Sequence, residues 1–292
     1  MNMRKLALLC IVTLATAISS TQLSAQEAPR RETVLIDRFD KVRNVPMAYA
    51  EILRDKVIRA FLERGRNRVI DAQTMQPLAD EAGRNWISGT LWQSDYENRL
   101  MTRATDVDDE IRYIISGAVL SYDFGHKTID GKQGFSTSIT LVLTGYDRLR
   151  GTLFPIKRFS MSGEDLKADK ADAKAIDNLS TGELERFINE NIKFECAVLE
   201  QGKTDRNGVA KECYIHCGSD MGVHKGDLFI VYANKAVGSV ATREKIGRLR
   251  VKEVQNGEVS LCAISDGKKE ITASLSIGEP LTAVSDGKAL FY

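Results

Sequence analysis

Past the first thirty residues the chain alternates short apolar runs with amphipathic stretches, and this pattern predicts most of its elements. The run "ETVLIDRF", residues 32–39, reads as a buried strand. Asn44 and Pro46 then open a helix through "MAYAEILRDKVIRAFLERG". In that helix Met47, Ile52, Leu53, Val57, Ala60 and Phe61 recur at helical spacing, and Glu51, Arg54, Asp55, Arg59 and Glu63 take the polar positions. Gly65 ends it, "NRVIDA" supplies a second strand, and "QTMQPLADEAGRNW" predicts a weaker helix. A helical crossover between the two strands requires them to lie parallel in one sheet, adjacent or separated.

After a charged segment ending in "DVDDE" the period changes from helical to two-residue. "YIISGAVLSYDF" and "FSTSITLVLTGYDRL" are long strands joined by "GHKTIDGKQG", a glycine-bearing polar turn of hairpin type, and "LFPIKRFSMSG" follows as a third strand. Ile139, Leu141 and Leu143 share one face, against Ser138, Thr140, Val142 and Thr144 on the other. "DLKADKADAKAIDNLSTGELERFINENIKF" returns to helix, with Leu184, Phe187, Ile188 and Ile192 as its apolar stripe. The first domain is therefore an α+β fold, a mixed sheet with helices on its face, ending near residue 195. Residues 196–292 break into short strands separated by glycine turns, the pattern of a small all-β barrel.

Inside that second segment, "GSDMGVHKGDLFIVY" spaces Gly218, Gly222 and Gly226 four apart, with Asp227 directly before an apolar run. A phosphate-cradling loop is one reading of such glycines. It needs a Lys-Ser or Lys-Thr pair opening a helix, and "GDLFIVY" offers neither. A tight turn feeding a strand is the better reading, with Asp227 bonding its own neighbouring amides and Phe229 and Val231 pointing one way.

The N-terminus adds a destination. Arg4 and Lys5, then "LALLCIVTLATAI", then a small residue at Ala25 have the layout of a secretory signal peptide over residues 1–25, so the mature chain (26–195 and 196–292 as its two domains) is expected in the periplasm, with no later stretch of spanning length. Its removal takes Arg4, Lys5 and Cys10, leaving 39 basic and 40 acidic residues and four cysteines, Cys196, Cys213, Cys217 and Cys262. A charge so balanced gives a polyanion nothing to hold, which argues against nucleic acid as a partner. Four cysteines in an exported chain are candidates for two disulfides, with three connectivities open and free thiols as the alternative. Cys213, His216 and Cys217 of "CYIHC" fit no common zinc spacing and lack a fourth ligand, so no metal is expected.

"VLIDRF", "RVID" and "YIISGAV", at residues 34–39, 68–71 and 113–119, resemble the periplasmic domain family that includes the curli secretion channel CsgG, the lipoprotein activator of penicillin-binding proteins and the N-terminal domain of TolB. The resemblance covers roughly residues 32–195. Two departures separate this chain from the channels: it has no lipid-attachment cysteine, and "YENRLMTRATDVDDE" is too charged to face lipid on alternate residues. "GVHKGDLFIVY" with "IGRLRVKEVQNGEVSLCAI" resembles the SH3-like C-terminal module of the flagellar ring protein FlgT.

Nothing in the order of His126, His216 and His224 forms a nucleophile-base arrangement, and the acidic pairs Asp37 with Asp40 and Asp108 with Asp109 read as solvated charge. Arg64, Arg66 and Arg68 of "RGRNRV" read as a solvated helix end. The expectation is a non-enzymatic envelope assembly or scaffold protein without a cofactor, bound to an envelope protein complex; the alternative is a glycan-binding module or regulator of peptidoglycan synthesis. Its contact residues are expected on two polar turns: His126, Lys127, Asp130 and Lys132 on one, Asp220, His224 and Lys225 on the other.

Overall fold

The computed structural model describes residues 30–75, 92–105, 107–237 and 240–288. Residues 1–25 and most of the helix expected over 73–86 lie outside them. The first sheet has seven strands in the order β3-β1-β4-β5-β6, with β2 on β4 and β7 on β5. Here β1 is Thr33–Ile36, β2 Asp40–Lys41, β3 Arg68–Asp71, β4 Ile111–Ile129, β5 Lys132–Asp147, β6 Thr152–Leu153 and β7 Lys157–Asp165. β1 runs parallel to both β3 and β4, as the helical crossover requires, whereas β4, β5 and β7 are antiparallel.

Helices cover both faces of the central strands. α1 (Met47–Arg64), α4 (Ala168–Asp177) and α5 (Thr181–Asn191) contribute to a core with Val34, Ile36, Tyr113, Ile115, Ile139, Leu141 and Leu143. α3 (Trp92–Thr105) sets Leu100 and Ala104 against Leu35, Ile111 and Ile114. The short α2 (Ala72–Met75) follows β3. The long helical stretch after β7 divides in two because Ser180 caps α5, its hydroxyl accepting from the Glu183 amide at 3.1 Å. Asp172 anchors α4, accepting from the hydroxyls of Tyr49, Tyr122 and Thr137.

Three local expectations change. "GHKTIDGKQG" forms the expected hairpin, but its turn is far shorter than the ten-residue stretch: β4 and β5 stay paired from Tyr113 with Asp147, across one register shift between Val119 and Ser121, out to Ile129 with Lys132. Only Asp130 (φ 49°) and Gly131 (φ 76°) turn, both left-handed, which is what a two-residue hairpin demands. Charge hid α3, whose apolar positions are few. On α1 the buried stripe is Ala50, Leu53, Arg54, Val57, Ala60, Phe61 and Arg64, so Arg54 is buried (1% exposed) while Ile52 stands out at 43%. Arg54 is tolerated there because its guanidinium donates to the Asp37 carbonyl at 3.0 Å and to the Asp71 carboxylate.

The C-terminal part is a closed six-strand antiparallel barrel of SH3-like type, ordered β10-β11-β12-β9-β8-β13. Its strands are β8 (Glu195–Gln201), β9 (Glu212–Ile215), β10 (Asp227–Val237), β11 (Val240–Val254), β12 (Ser260–Asp266) and β13 (Leu281–Lys288). Closure of β13 on β10 leaves no open edge. Phe229, Val231, Leu249, Val251, Ile264 and the four cysteines fill it, and α6 (Lys268–Ser276), which the strand pattern did not predict, adds Ile271.

Gly163 of β7 lies so close to α4 that a Cβ there would come within 2.2 Å of the Ala171 oxygen and 2.3 Å of the Ala175 nitrogen. Gly163→Ala is expected to lower unfolding free energy by about 3 kcal/mol or more, since backbone on both sides must shift. Gly125→Ala, with nothing within 4 Å of the added atom, serves as the control and should stay within about 0.5 kcal/mol. Urea denaturation monitored by far-ultraviolet circular dichroism measures both.

Candidate functional site

The glycine-spaced turn meets the end of α1, and the two domains join there. Gly65 ends α1 in the left-handed conformation (φ 69°), its amide donating to the Phe61 oxygen. That turn delivers Arg64 and Arg66 to the same side. Across from them Gly222 (φ 60°) approaches so closely that a Cβ would sit 2.3 Å from the Arg64 oxygen. Only glycine satisfies both the backbone angle and the approach.

Asp227 stands at the centre, 0% exposed, between Arg64 (1%) and Arg66 (2%). Its Oδ2 accepts from Arg64 Nη2 at 2.8 Å, from Arg66 Nη2 at 3.0 Å and from the His224 amide at 3.1 Å. The expected bond to a neighbouring amide is present, and two cations from the other domain share the same oxygen. Neutral acceptors take all but one of the remaining donors, Arg66 Nε being left without a partner among the described residues. Asn189 Oδ1 of α5 receives Arg66 Nη1 at 2.5 Å and Arg64 Nε at 3.4 Å, and the Gly222 oxygen receives Arg64 Nη1 at 3.3 Å. His224 Nδ1 lies 2.7 Å from Arg64 Nη1, and because a guanidinium only donates, that nitrogen accepts and the ring proton sits on Nε2.

Two cations against one carboxylate leave an excess positive charge, which the carbonyl ends of α1 and α5 help to offset. Burial, with the Arg64 charge beside it, lowers the Arg66 guanidinium to about 10, still protonated at neutral pH. Arg66 also lies over the Phe194 ring at 5.1 Å, and Phe194 packs edge-on against Phe229 at 5.7 Å. Phe194 and Ser285 exchange backbone and hydroxyl bonds at 3.0 and 3.1 Å, tying the connection between domains to β13. Arg31 donates from Nε to the Asp220 oxygen on the same side.

The solvated helix end expected at "RGRNRV" is thus corrected for Arg64 and Arg66, while Arg68 is exposed and pairs with Glu110. The missed signal was legible in part: Arg64 continues the spacing 50, 53, 54, 57, 60, 61, 64 of the buried stripe. Its carboxylate partner, 163 residues away, was not.

The two proposed contact regions separate. His126 and Lys127 lie on β4, Asp130 in the turn, and Lys132 at the start of β5. Along this ribbon Phe124 stacks on Phe135 at 5.5 Å, His126 lies 5.1 Å from the Phe135 ring, and Lys127 pairs with Glu164. Asp220, His224 and Lys225 flank the joint. His224 and Lys225, with Ser219, Val223, Lys252 and Glu253, line an open cleft of about 540 Å³. Glu253 and the pairing of Lys252 with Glu212 cancel most of its positive charge.

Cys196, Cys213, Cys217 and Cys262 are buried thiols in the barrel, and burial pushes Cys213 up to about 12. Among the described residues no group of three or more His, Cys, Asp or Glu is placed to hold a metal, and no helix is long and apolar enough to cross a membrane. The three histidines sit on separate elements, on β4, after β9 and in the joint.

The fold and joint define a two-domain α+β and β-barrel chain whose halves meet through buried charge. No protein-family model matches the sequence, and no curated protein does. Among solved structures it is similar to the PelC dodecamer from Paraburkholderia phytofirmans, at 14% identity and TM-score 0.30 over 55% of this chain and 87% of that one. Lipoprotein GNA1162 from Neisseria meningitidis is similar at 10% identity and TM-score 0.34, covering 55% and 94%. TolB from Acinetobacter baumannii is similar at 10% identity and TM-score 0.21, covering 82% and 59%. Identities and scores this low assign neither family nor function.

Asp227→Ala leaves two guanidiniums buried without their carboxylate and is expected to cost about 3–5 kcal/mol. Replacing all three groups together, Arg64→Met, Arg66→Met and Asp227→Leu, should cost far less, because no charge is then stranded. Calorimetry should show one cooperative transition for the parent chain and two separated transitions for Asp227→Ala. A single, unshifted transition in that variant would contradict the joint's role.

Proposed function

We propose that the chain is a non-enzymatic, exported envelope scaffold that holds two contact surfaces at a set separation. The observation that carries this reading is the joint. The charged side chains of the glycine-rich turn that face the first domain are committed to holding it, not to binding a substrate. Only residues 192–194 connect α5 to β8, too few for the barrel to move independently while the joint is made.

The β4–β5 ribbon supplies the other end. The joint lies beside the start of β3, which pairs through β1 with Ile111 at the start of β4, and the ribbon's turn is at the opposite end of that strand. The 19 residues of β4 make roughly 60 Å of reach as extended strand. Near the tip, Phe124 is 44% exposed and stacked on Phe135, an apolar anchor on a rigid support of the kind protein partners bury. The signal-peptide layout supports a periplasmic address. The cleft beside His224 favours a glycan ligand less, since its charges largely cancel.

Photo-crosslinking amino acids placed singly at Phe124 and His126 in intact cells test the reading, with Leu149, 75% exposed, as the control position. Discrete adducts with an envelope protein from the ribbon alone are expected. Co-sedimentation with isolated cell wall and no protein adduct would replace the scaffold by a glycan-binding module.

A further inference from the structure

Cys196 and Cys217 bring their sulfurs to 2.8 Å inside the barrel. They are strand neighbours: Val198 pairs with Ile215, the His216 amide donates to the Ala197 oxygen at 2.9 Å, and the next step of that register sets Cys196 opposite Cys217. A disulfide bond is about 2.05 Å long, so less than 1 Å of sulfur movement separates this pair from one. Cys213 and Cys262 also face each other across strands, on the far side of β9, where they pack as small apolar side chains.

We propose that Cys196 and Cys217 form a disulfide that staples the two segments holding the interdomain joint, a proposal resting on the export reading for its setting. Cys196 follows by two residues the Phe194 ring under Arg66, and Cys217 precedes the turn that carries Gly222 and Asp227. The bond locks both segments together beneath the Arg64–Asp227–Arg66 contacts. It forms by exchange with an oxidised dithiol carrier outside the cytoplasm. One cysteine thiolate attacks the carrier's disulfide and releases a carrier thiolate. The second cysteine then displaces the remaining carrier sulfur, so two thiols become one S–S bond and the carrier leaves as its dithiol. Burial raises the Cys196 thiol well above its ordinary value, so exchange occurs before the barrel closes. Once closed, the same burial keeps reductants out.

The test is peptide mapping of the full chain as cells process it, alkylated at lysis without reductant. Trypsin with chymotrypsin separates Cys196, Cys213, Cys217 and Cys262, since cleavage at Tyr214 divides Cys213 from Cys217. The expected result is one linked pair, Cys196 with Cys217, and an intact mass about 2 Da below the fully reduced chain. A Cys213–Cys262 link in its place, or four alkylated cysteines in exported protein, overturns the proposal.

Fractionation and the mature N-terminal mass report export separately. If the chain stays in the cytoplasm, refolding the reduced chain in a glutathione redox buffer decides the pairing by the same map. A Cys196–Cys217 link there sustains the geometry while export fails, and its absence sinks both. The Cys196→Ala/Cys217→Ala double variant should melt about 5–10 °C below the oxidised parent and close to the reduced parent. Equal melting of oxidised and reduced parent would remove the staple's effect on the joint.

Discussion

Everything distinctive about this chain depends on one carboxylate oxygen. Asp227 Oδ2 accepts two guanidiniums and an amide in a place no water reaches, and those donors come from both domains. In bulk water such a cluster contributes little, but inside protein a stranded member is costly. The arrangement therefore adds modestly to stability while strongly penalising any other docking of the barrel. Asp227 Oδ1 and Arg66 Nε remain buried without a hydrogen-bond partner among the described residues, which fits a contact selected for orientation more than for energy.

α1 carries this logic along its length. A helix stripe that faces a sheet is ordinarily apolar throughout. Here Arg54 and Arg64 occupy the stripe three turns apart, each where α1 passes strand ends or a neighbouring domain and finds oxygen acceptors. Leu53, Val57, Ala60 and Phe61 between them supply the hydrophobic contact that holds the helix down. Positioning by buried charge and adhesion by apolar burial are thus divided along one helix. The ribbon of β4 and β5 shows the complementary strategy, a long hydrogen-bonded ladder that carries stacked rings towards its tip.

Local periodicity made most elements legible. The α1 and α5 stripes, the parallel pairing imposed by the crossover, the inward face of β5 and the barrel's short strands all follow from spacing and turn residues. Errors fell where a polar residue was assumed to face water. The hairpin over "GHKTIDGKQG" was legible, but only Asp130 and Gly131 turn and the other residues stay in the ladder. α3 is polar on most positions, and among its described side chains Leu100 and Ala104 are the buried ones.

By itself the sequence determined the two-part architecture, the place of the glycine turn and the need for Gly65 and Gly222 to bend where they do. These are consequences of short-range sterics and of hydrophobic spacing, which neighbouring residues specify. Only the tertiary structure decided that Arg64 and Arg66 are buried, that Asp227 is their partner, and that Cys196 faces Cys217 and not Cys213. A charged side chain looks the same in sequence whether water or a carboxylate 163 residues away satisfies it, because electrostatic pairing depends on distance in space and leaves no local pattern.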